Sequence, residues 1–95
     1  MAFMFARVEL HNATHGDYEN LHTYMLDKKF QRRMKVLGES CDLPWAYYAS
    51  DQYEVSNVAL TAVQYATGRT GKTASIVISK ATETVYSGLQ NCRRT

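Results

Sequence analysis

Proline and cysteine are both scarce in this chain of 95 residues, and long apolar runs are missing. Pro44 is the single proline, and Cys41 and Cys92 are the two cysteines. The cysteines lack the spacing of metal ligands, so we expect two reduced thiols and no bound metal. The apolar start, Met1–Leu10, is short and broken by charged residues, which excludes a signal peptide and a membrane span. We therefore expect a cytoplasmic protein that does not insert into membranes.

The chain also carries little net charge, +2 at neutral pH. Such a balance does not by itself indicate a nucleic-acid partner, so any such argument depends on local clusters of cations. Lysines and arginines concentrate between positions 28 and 35 and again at 93–94. The length fits a single domain over 1–95, with an ordered core over about 3–89 and a loose tail over 90–95.

The clearest pattern is two-residue alternation near the start of the chain, from Phe3 to His11, which is typical of a half-buried strand. One predicted face of this strand is apolar and consists of Met4, Ala6, Val8 and Leu10. The opposite face carries Phe3, Phe5, Arg7, Glu9 and His11.

Helix signals follow this strand and recur later in the chain. Thr14 can cap a first helix over about 15–28, with Asp17 in its first turn, and Ser56 can cap a second over about 57–67. Further strands are predicted over 31–37, 45–49, 73–79 and, as a short extension, 83–89. This order predicts an α+β domain, a ferredoxin-like βαββαβ sandwich with two helices on one face of an antiparallel sheet.

A phosphate-binding loop is nearly matched over 66–73, where alanine replaces the first glycine of the pattern. That loop must lie between a strand and the N-terminus of a following helix. Here a predicted helix comes before the segment and a strand follows it, so we interpret the segment as a helix end and turn. We therefore expect no nucleotide cofactor and no other cofactor.

Because two helices cover one face of a sheet, the other face is left for binding. Aromatic rings beside cations suit single-stranded RNA, since bases stack on rings and Arg or Lys meets phosphates. The residues predicted to bind RNA in this way are Phe3, Phe5, Arg33, Lys35, Trp45 and Tyr47. The same large apolar side chains are also typical of subunit contacts, so a homodimer through the open sheet face is the alternative.

Acid–base chemistry has one candidate set on that face. His11 shares the strand face with Arg7 and Glu9, and these three residue types can move protons and stabilise a phosphate during cleavage through the RNA 2′-hydroxyl. No pair of carboxylates stands out at a strand end, so metal-independent cleavage is favoured over metal-dependent cleavage.

Several spaced motifs resemble one known family. They are Arg7-Val8-Glu9-Leu10-His11-x-Ala13-Thr14, Asp17-Tyr18, Leu21-His22, Met25, Phe30, Leu43-Pro44-x-Ala46-x-Tyr48, Thr70-Gly71-Lys72 and Tyr86 with Gly88-Leu89. Together they resemble the GhoS family of endoribonuclease antitoxins from type V toxin–antitoxin systems. The resemblance covers about residues 6–89.

The resemblance implies a ferredoxin-like fold, similar to small CRISPR-associated ribonuclease-like proteins, and cleavage of a toxin's messenger RNA. Those CRISPR-associated relatives carry a metal-binding Asp near the end of the first strand, where this chain has Leu10-His11-Asn12. The departure argues against the metal route. The competing hypothesis is a non-catalytic interaction protein, either an RNA-binding dimer or a phage-encoded inhibitor of a host defence complex.

Overall fold

A computed structural model describes residues 3–36 and 38–94. Two helices and six strands make up this part of the chain, arranged as two three-stranded antiparallel sheets. In chain order they are β1 (Phe3–Leu10), α1 (His15–Asp27), β2 (Arg33–Val36), β3 (Glu39–Asp42), β4 (Tyr47–Ser50), α2 (Ser56–Arg69), β5 (Ala74–Ala81) and β6 (Gln90–Arg94). The α+β class is confirmed, whereas the predicted strand count is too low. Among the described residues, no helix is long and apolar enough to cross a membrane.

The first sheet has the order β4-β1-β5, with β1 in the centre. The predicted apolar face of β1 is confirmed, because Met4, Ala6 and Val8 are fully buried and Leu10 nearly so. Both helices contribute to the same core, α1 through Leu21 and Met25 and α2 through Ala59, Val63 and Ala66. The small side chains of α2 let its backbone lie close to the sheet.

Thr14 caps α1 as predicted. Its hydroxyl accepts a hydrogen bond from the backbone N–H of Asp17, and the Asp17 carboxylate accepts one from the backbone N–H of Thr14 at 2.9 Å. This N–H holds the pKa of Asp17 below its ordinary value. For α2 the predicted cap is wrong, because the helix begins at Ser56 itself and Val55 precedes it without a side-chain cap.

The C-terminus of α1 is unusual because Lys29 adopts a left-handed conformation, with φ at 68°. The N–H of Lys29 donates to the carbonyl of Leu26 and that of Phe30 to the carbonyl of Met25, which is the Schellman pattern. Glycine is the usual residue at this position, since a Cβ disfavours it. The turn directs Phe30 into the core, where only 1% of its surface is exposed.

The second sheet, of order β2-β3-β6, corrects three predictions. The last described residues do not form a loose tail, because Gln90–Arg94 pairs with β3, whereas the predicted strand over 83–89 is a connecting segment. Cys41 and Cys92 form a disulfide between these strands, with their Cα atoms 4.1 Å apart. The prediction of two reduced thiols is therefore wrong for this structure; strand pairing joins cysteines that are 51 positions apart in sequence.

A backbone bridge links the two sheets. Gln31 and Ala49 exchange two N–H to carbonyl hydrogen bonds of 2.8 Å, just before the chain enters β2. The predicted strand over 31–37 is thus divided between this bridge and β2, and Leu37 lies outside the described residues. The segment 66–73 runs from the end of α2 through a turn to β5, which is the order that argues against a phosphate-binding loop.

Candidate nucleic-acid interface

The side of the first sheet away from the helices presents Phe3, Phe5, Arg7 and Glu9 from β1, together with Tyr47 from β4. We call this surface the outer face. Arg7 and Glu9 are exposed, Phe3, Phe5 and Tyr47 are half-buried, and no helix of the described chain covers them. Strand pairing places Arg7 opposite Tyr47 on one side and opposite Val77 on the other. The surface on which the functional hypothesis depends therefore exists.

The outer face is open in one half and flanked in the other. Phe5 and Tyr47 border a cavity of about 360 Å³, and its other walls come from Met34 of the second sheet, from the connection between β3 and β4 and from the segment 84–89. Beyond it, Val77 is 62% exposed. The second sheet, which was not predicted as a separate layer, thus borders the outer face on the side of Phe5 and Tyr47.

Aromatic and cationic groups are adjacent on the outer face. The rings of Phe3 and Phe5 have centroids 6.1 Å apart. The guanidinium carbon of Arg7 lies 5.6 Å from the centre of the Tyr47 ring, within cation–π range. Three rings and one cation therefore share a surface, as single-strand binding requires.

A groove of about 550 Å³ continues this surface past Phe3. We call it the basic groove; the wall residues that matter here are Phe3, Lys29, Gln31, Lys35 and Gln52. Lys29 and Lys35 are exposed, so their ammonium groups are available to phosphates, and the two amides can hydrogen-bond to base edges. Asp51 also lines the groove, where its carboxylate accepts a hydrogen bond from Gln52.

Arg33 lines the groove as well, but its guanidinium is occupied. It forms an ion pair with Asp42 and donates to the Ser40 hydroxyl, to the Ser40 carbonyl at 2.7 Å and to the Asn91 carbonyl at 2.9 Å. The Asn91 amide, followed by the charge of Arg33, holds the pKa of Asp42 below its ordinary value. Arg33 therefore ties β2, β3 and β6 together, and Lys35 is the exposed cation of β2 that lines the groove.

The predicted catalytic residues lie in two places, His11 and Glu9 beside β5 and Arg7 beside Tyr47. The ring nitrogens of His11 lie 2.8 Å from the Thr73 hydroxyl and 2.9 Å from the Ser75 hydroxyl. Ser75 lies opposite Glu9 in the strand register, so Glu9 is on the same side of the sheet as this hydroxyl. Arg7 lies nearer Tyr47, and residues four apart on a strand are about 13 Å apart. As a proton acceptor, His11 would first have to release one of its two hydroxyl partners.

Trp45 does not lie on the outer face, contrary to the prediction. It precedes β4 in a turn where Ala46 has a left-handed φ of 69°, which breaks the alternation between Trp45 and Tyr47. Its ring instead contacts α1. The ring centroid lies 5.4 Å from those of Tyr18 and His22, and the ring stacks on His15 with a centroid distance of 5.9 Å. We call these four residues the Trp45 cluster. Only the helical spacing of positions 15, 18 and 22 hinted at it in the sequence.

His22 anchors this cluster to the core. Its Nδ1 lies 2.6 Å from the hydroxyl of Tyr48, which is fully buried. Burial lowers the pKa of His22, and the positive charges of Arg32 and His15 lower it further against the opposing effect of Glu19. The neutral imidazole is therefore the form that the folded protein favours.

This shift predicts acid sensitivity. As the pH falls below the ordinary value of 6.5, the unfolded chain takes up a proton on His22 that the folded chain resists. The stability that this residue contributes is complete above that pH and is lost below it. We expect the urea midpoint to fall between about pH 7.5 and about pH 5.5 in the parent protein and to change less in His22→Gln. An equal fall in both proteins would contradict this assignment. Asp17 and Asp42 do not contribute in this pH range, because the pKa of each carboxyl lies below its ordinary value of 3.8.

Comparison of the chain with family models, with curated protein sequences and with solved structures found no match.

Proposed function

We propose that this chain binds single-stranded RNA along the outer face and the basic groove. The observation that supports this most directly is the juxtaposition of Phe3, Phe5 and Tyr47 with Arg7 at one end and Lys35 at the other. Bases stack on such rings without regard to sequence, while the flanking cations meet the phosphates. A concave, half-buried surface of this kind suits a flexible single strand better than a rigid duplex.

We propose further that the chain is a ferredoxin-like, GhoS-like antitoxin that acts in the cytoplasm, and the strand arrangement supports the ferredoxin-like part of this hypothesis. With the Gln31 bridge beside β4, the order across the first sheet becomes bridge, β4, β1, β5. That is the order expected when the edge strand of a split βαβ sandwich is reduced to a single bridge. The toxin messenger is the RNA that the family resemblance implies.

Binding is tested with a fluorescently labelled, unstructured RNA of about 12 nucleotides, followed by anisotropy. We expect Phe3→Ser to weaken binding about tenfold, because it removes a stacking surface. Lys35→Gln should weaken binding less, and it should reduce the salt dependence by about one counterion.

Matched controls lie on the helix side of the molecule. Tyr65→Ser removes a ring that is 60% exposed on α2, and Lys72→Gln removes a cation near Asp17. Neither control should change RNA affinity by more than about twofold, within the range of ordinary surface substitutions. Equal losses in controls and test variants, or no binding by the parent protein at low salt, would refute the proposal.

Cleavage is a separate claim with its own test. If His11 and Glu9 act on the 2′-hydroxyl without metal, a chelator leaves cleavage intact, whereas His11→Asn or Glu9→Gln abolishes it without loss of binding. Binding by the parent protein without any cleavage would favour the non-catalytic alternative.

A homodimer is the second candidate, because Val77 is exposed beside the half-buried rings of the outer face. Val77→Lys should then convert a dimer to a monomer in light scattering, since a buried unpaired charge opposes association. A monomeric parent protein at high concentration would exclude this candidate.

A further inference from the structure

The indole of Trp45 is held firmly but is not buried. About half of its surface, 52%, is exposed, although His15, Tyr18 and His22 all contact the ring. His22 is itself fixed by the hydroxyl of the buried Tyr48. Contacts that orient a half-exposed ring without burying it contribute little to the core, but they pre-organise a flat surface for a ligand.

A cation stands beside this ring. The guanidinium carbon of Arg32 lies 5.9 Å from the indole centre, and no carboxylate lies within ion-pair distance of Arg32 in the described part of the chain. Its charge is therefore available, in contrast to that of Arg33, which Asp42 neutralises. A ring and a guanidinium that is outside any ion pair together match a base with its phosphate.

His22 adds a second sign of a functional site. Nδ1 of His22 is occupied by the Tyr48 hydroxyl. The other ring nitrogen, Nε2, is buried and has no hydrogen-bond partner among the described residues. Buried polar atoms without a partner are uncommon and often mark sites that bind or react.

A cavity of about 330 Å³ connects the Trp45 cluster to the basic groove. Leu26 and Phe30 give it an apolar base, and His22, Gln31 and Arg32 are among its polar walls. Leu26 and Gln31 also line the basic groove, so the two depressions share walls. An RNA strand that leaves the basic groove at Gln31 would therefore meet Arg32 and then Trp45.

We propose that Trp45 and Arg32, with His22 as a positioning residue, form a subsite for one nucleotide of a single-stranded RNA. The base stacks on the exposed indole and the phosphate meets the Arg32 guanidinium. The inference rests on the proposed function, because the rest of the strand occupies the basic groove and the outer face. It extends the RNA-binding surface past the edge of the first sheet, because Trp45 does not lie on the sheet face on which it was predicted.

The chain contains a single tryptophan, so its fluorescence reports on this subsite alone. Titration of the parent protein with an oligouridylate of about 12 nucleotides should quench the Trp45 emission in step with the anisotropy signal. Trp45→Ala should weaken binding of the labelled RNA about tenfold, and Trp45→Phe should weaken it only a few-fold. Arg32→Gln should reduce the salt dependence of binding by about one counterion, whereas Lys80→Gln, the control for loss of one charge, should not.

His22→Gln tests the positioning role by a readout other than affinity. Loss of the imidazole contacts should red-shift the Trp45 emission and lower its steady-state anisotropy in the protein without RNA, while Arg32→Gln should change neither. Unchanged Trp45 emission in His22→Gln would refute the positioning role.

The two proposals fail in different ways. RNA binding without quenching, together with an Arg32→Gln variant that binds like the parent protein, overturns the subsite and leaves the proposed function intact. If the parent protein binds no RNA, the proposed function fails. A titration with uridine monophosphate then tests whether the subsite at Trp45 binds a nucleotide by itself. Quenching by the mononucleotide then supports a nucleotide site at Trp45, and no quenching overturns it.

Discussion

Cys92→Ser is expected to lower the free energy of unfolding by about 2–4 kcal/mol, which is a large share of the stability of a small domain. The disulfide closes a loop between positions 51 residues apart, so it removes much conformational freedom from the unfolded chain. Its loss should affect β6 most, because this short strand pairs with β3 through few residues.

Cys92 is the better position for this test because it is exposed, whereas Cys41 is only 1% exposed and its replacement would also disturb packing. Urea unfolding of the parent protein is followed with and without a reductant. Reduction should bring the parent protein to the midpoint of Cys92→Ser and should leave the variant unchanged. A parent protein that is indifferent to the reductant would show that the pair does not contribute to stability in solution.

The disulfide also bears on where the protein works. Such bonds persist in oxidising compartments and are uncommon in the cytoplasm, where the expectation from the sequence places this chain. In a reducing compartment the pair would be two thiols. Because β1 and β4 carry the outer face and do not contain these cysteines, we expect the reduced protein to retain the contribution of Phe3 and Phe5 to RNA binding.

Phe30→Ala is expected to cost about 3–5 kcal/mol, the largest effect of a single side chain proposed here. Phe30 is 1% exposed and its ring stacks on Tyr53 at a centroid distance of 5.3 Å. Its backbone is fixed by the turn that ends α1, so the surrounding side chains cannot easily close the cavity. If the alanine variant does not fold, Phe30→Leu should still show a smaller loss in the urea midpoint.

Phe3→Ala is the matched control, since it makes the same chemical change on the half-buried outer face. It should cost less than about 2 kcal/mol, because less surface is returned to water and no closed cavity forms. Similar losses at both positions would mean that Phe3 belongs to a buried core, and the outer face would then not be a binding surface.

The part of the fold that follows from local patterns could be predicted. Alternation along β1 has a period of two, and a shift by one residue would expose the whole apolar set, so Met4 and Val8 had to face the helices. The Thr14 cap followed from residue type and spacing, because Asp17 three positions later completes the reciprocal pair. These features needed no knowledge of the rest of the chain.

The second sheet could not be predicted, because tertiary contacts determine it. Its strands β3 and β6 are short and polar, without apolar alternation, and they are joined by a disulfide and by the hydrogen bonds of Arg33. The predicted position of Trp45 was also wrong, because it assumed that strand alternation continues through Ala46. Alanine seldom adopts a left-handed conformation, so nothing in the sequence indicated the turn at Ala46.

The candidate site was predictable only in part. Phe3, Phe5, Arg7 and Tyr47 share a surface because strand periodicity places them there. Lys29 joins them through the left-handed end of α1, a position at which glycine would be less strained. That the chain has a lysine here agrees with a use for its charge in the basic groove.

The Gln31–Ala49 bridge has a further consequence for motion. The walls of the basic groove include residues of two separately paired sheets, with Phe3 on one side and Lys35 on the other, and this pair of backbone hydrogen bonds joins the segment before β2 to β4. A ligand that contacts both walls would hold the two sheets together across this bridge. Amide hydrogens of β2 and β3 would then exchange with solvent more slowly when the groove is filled.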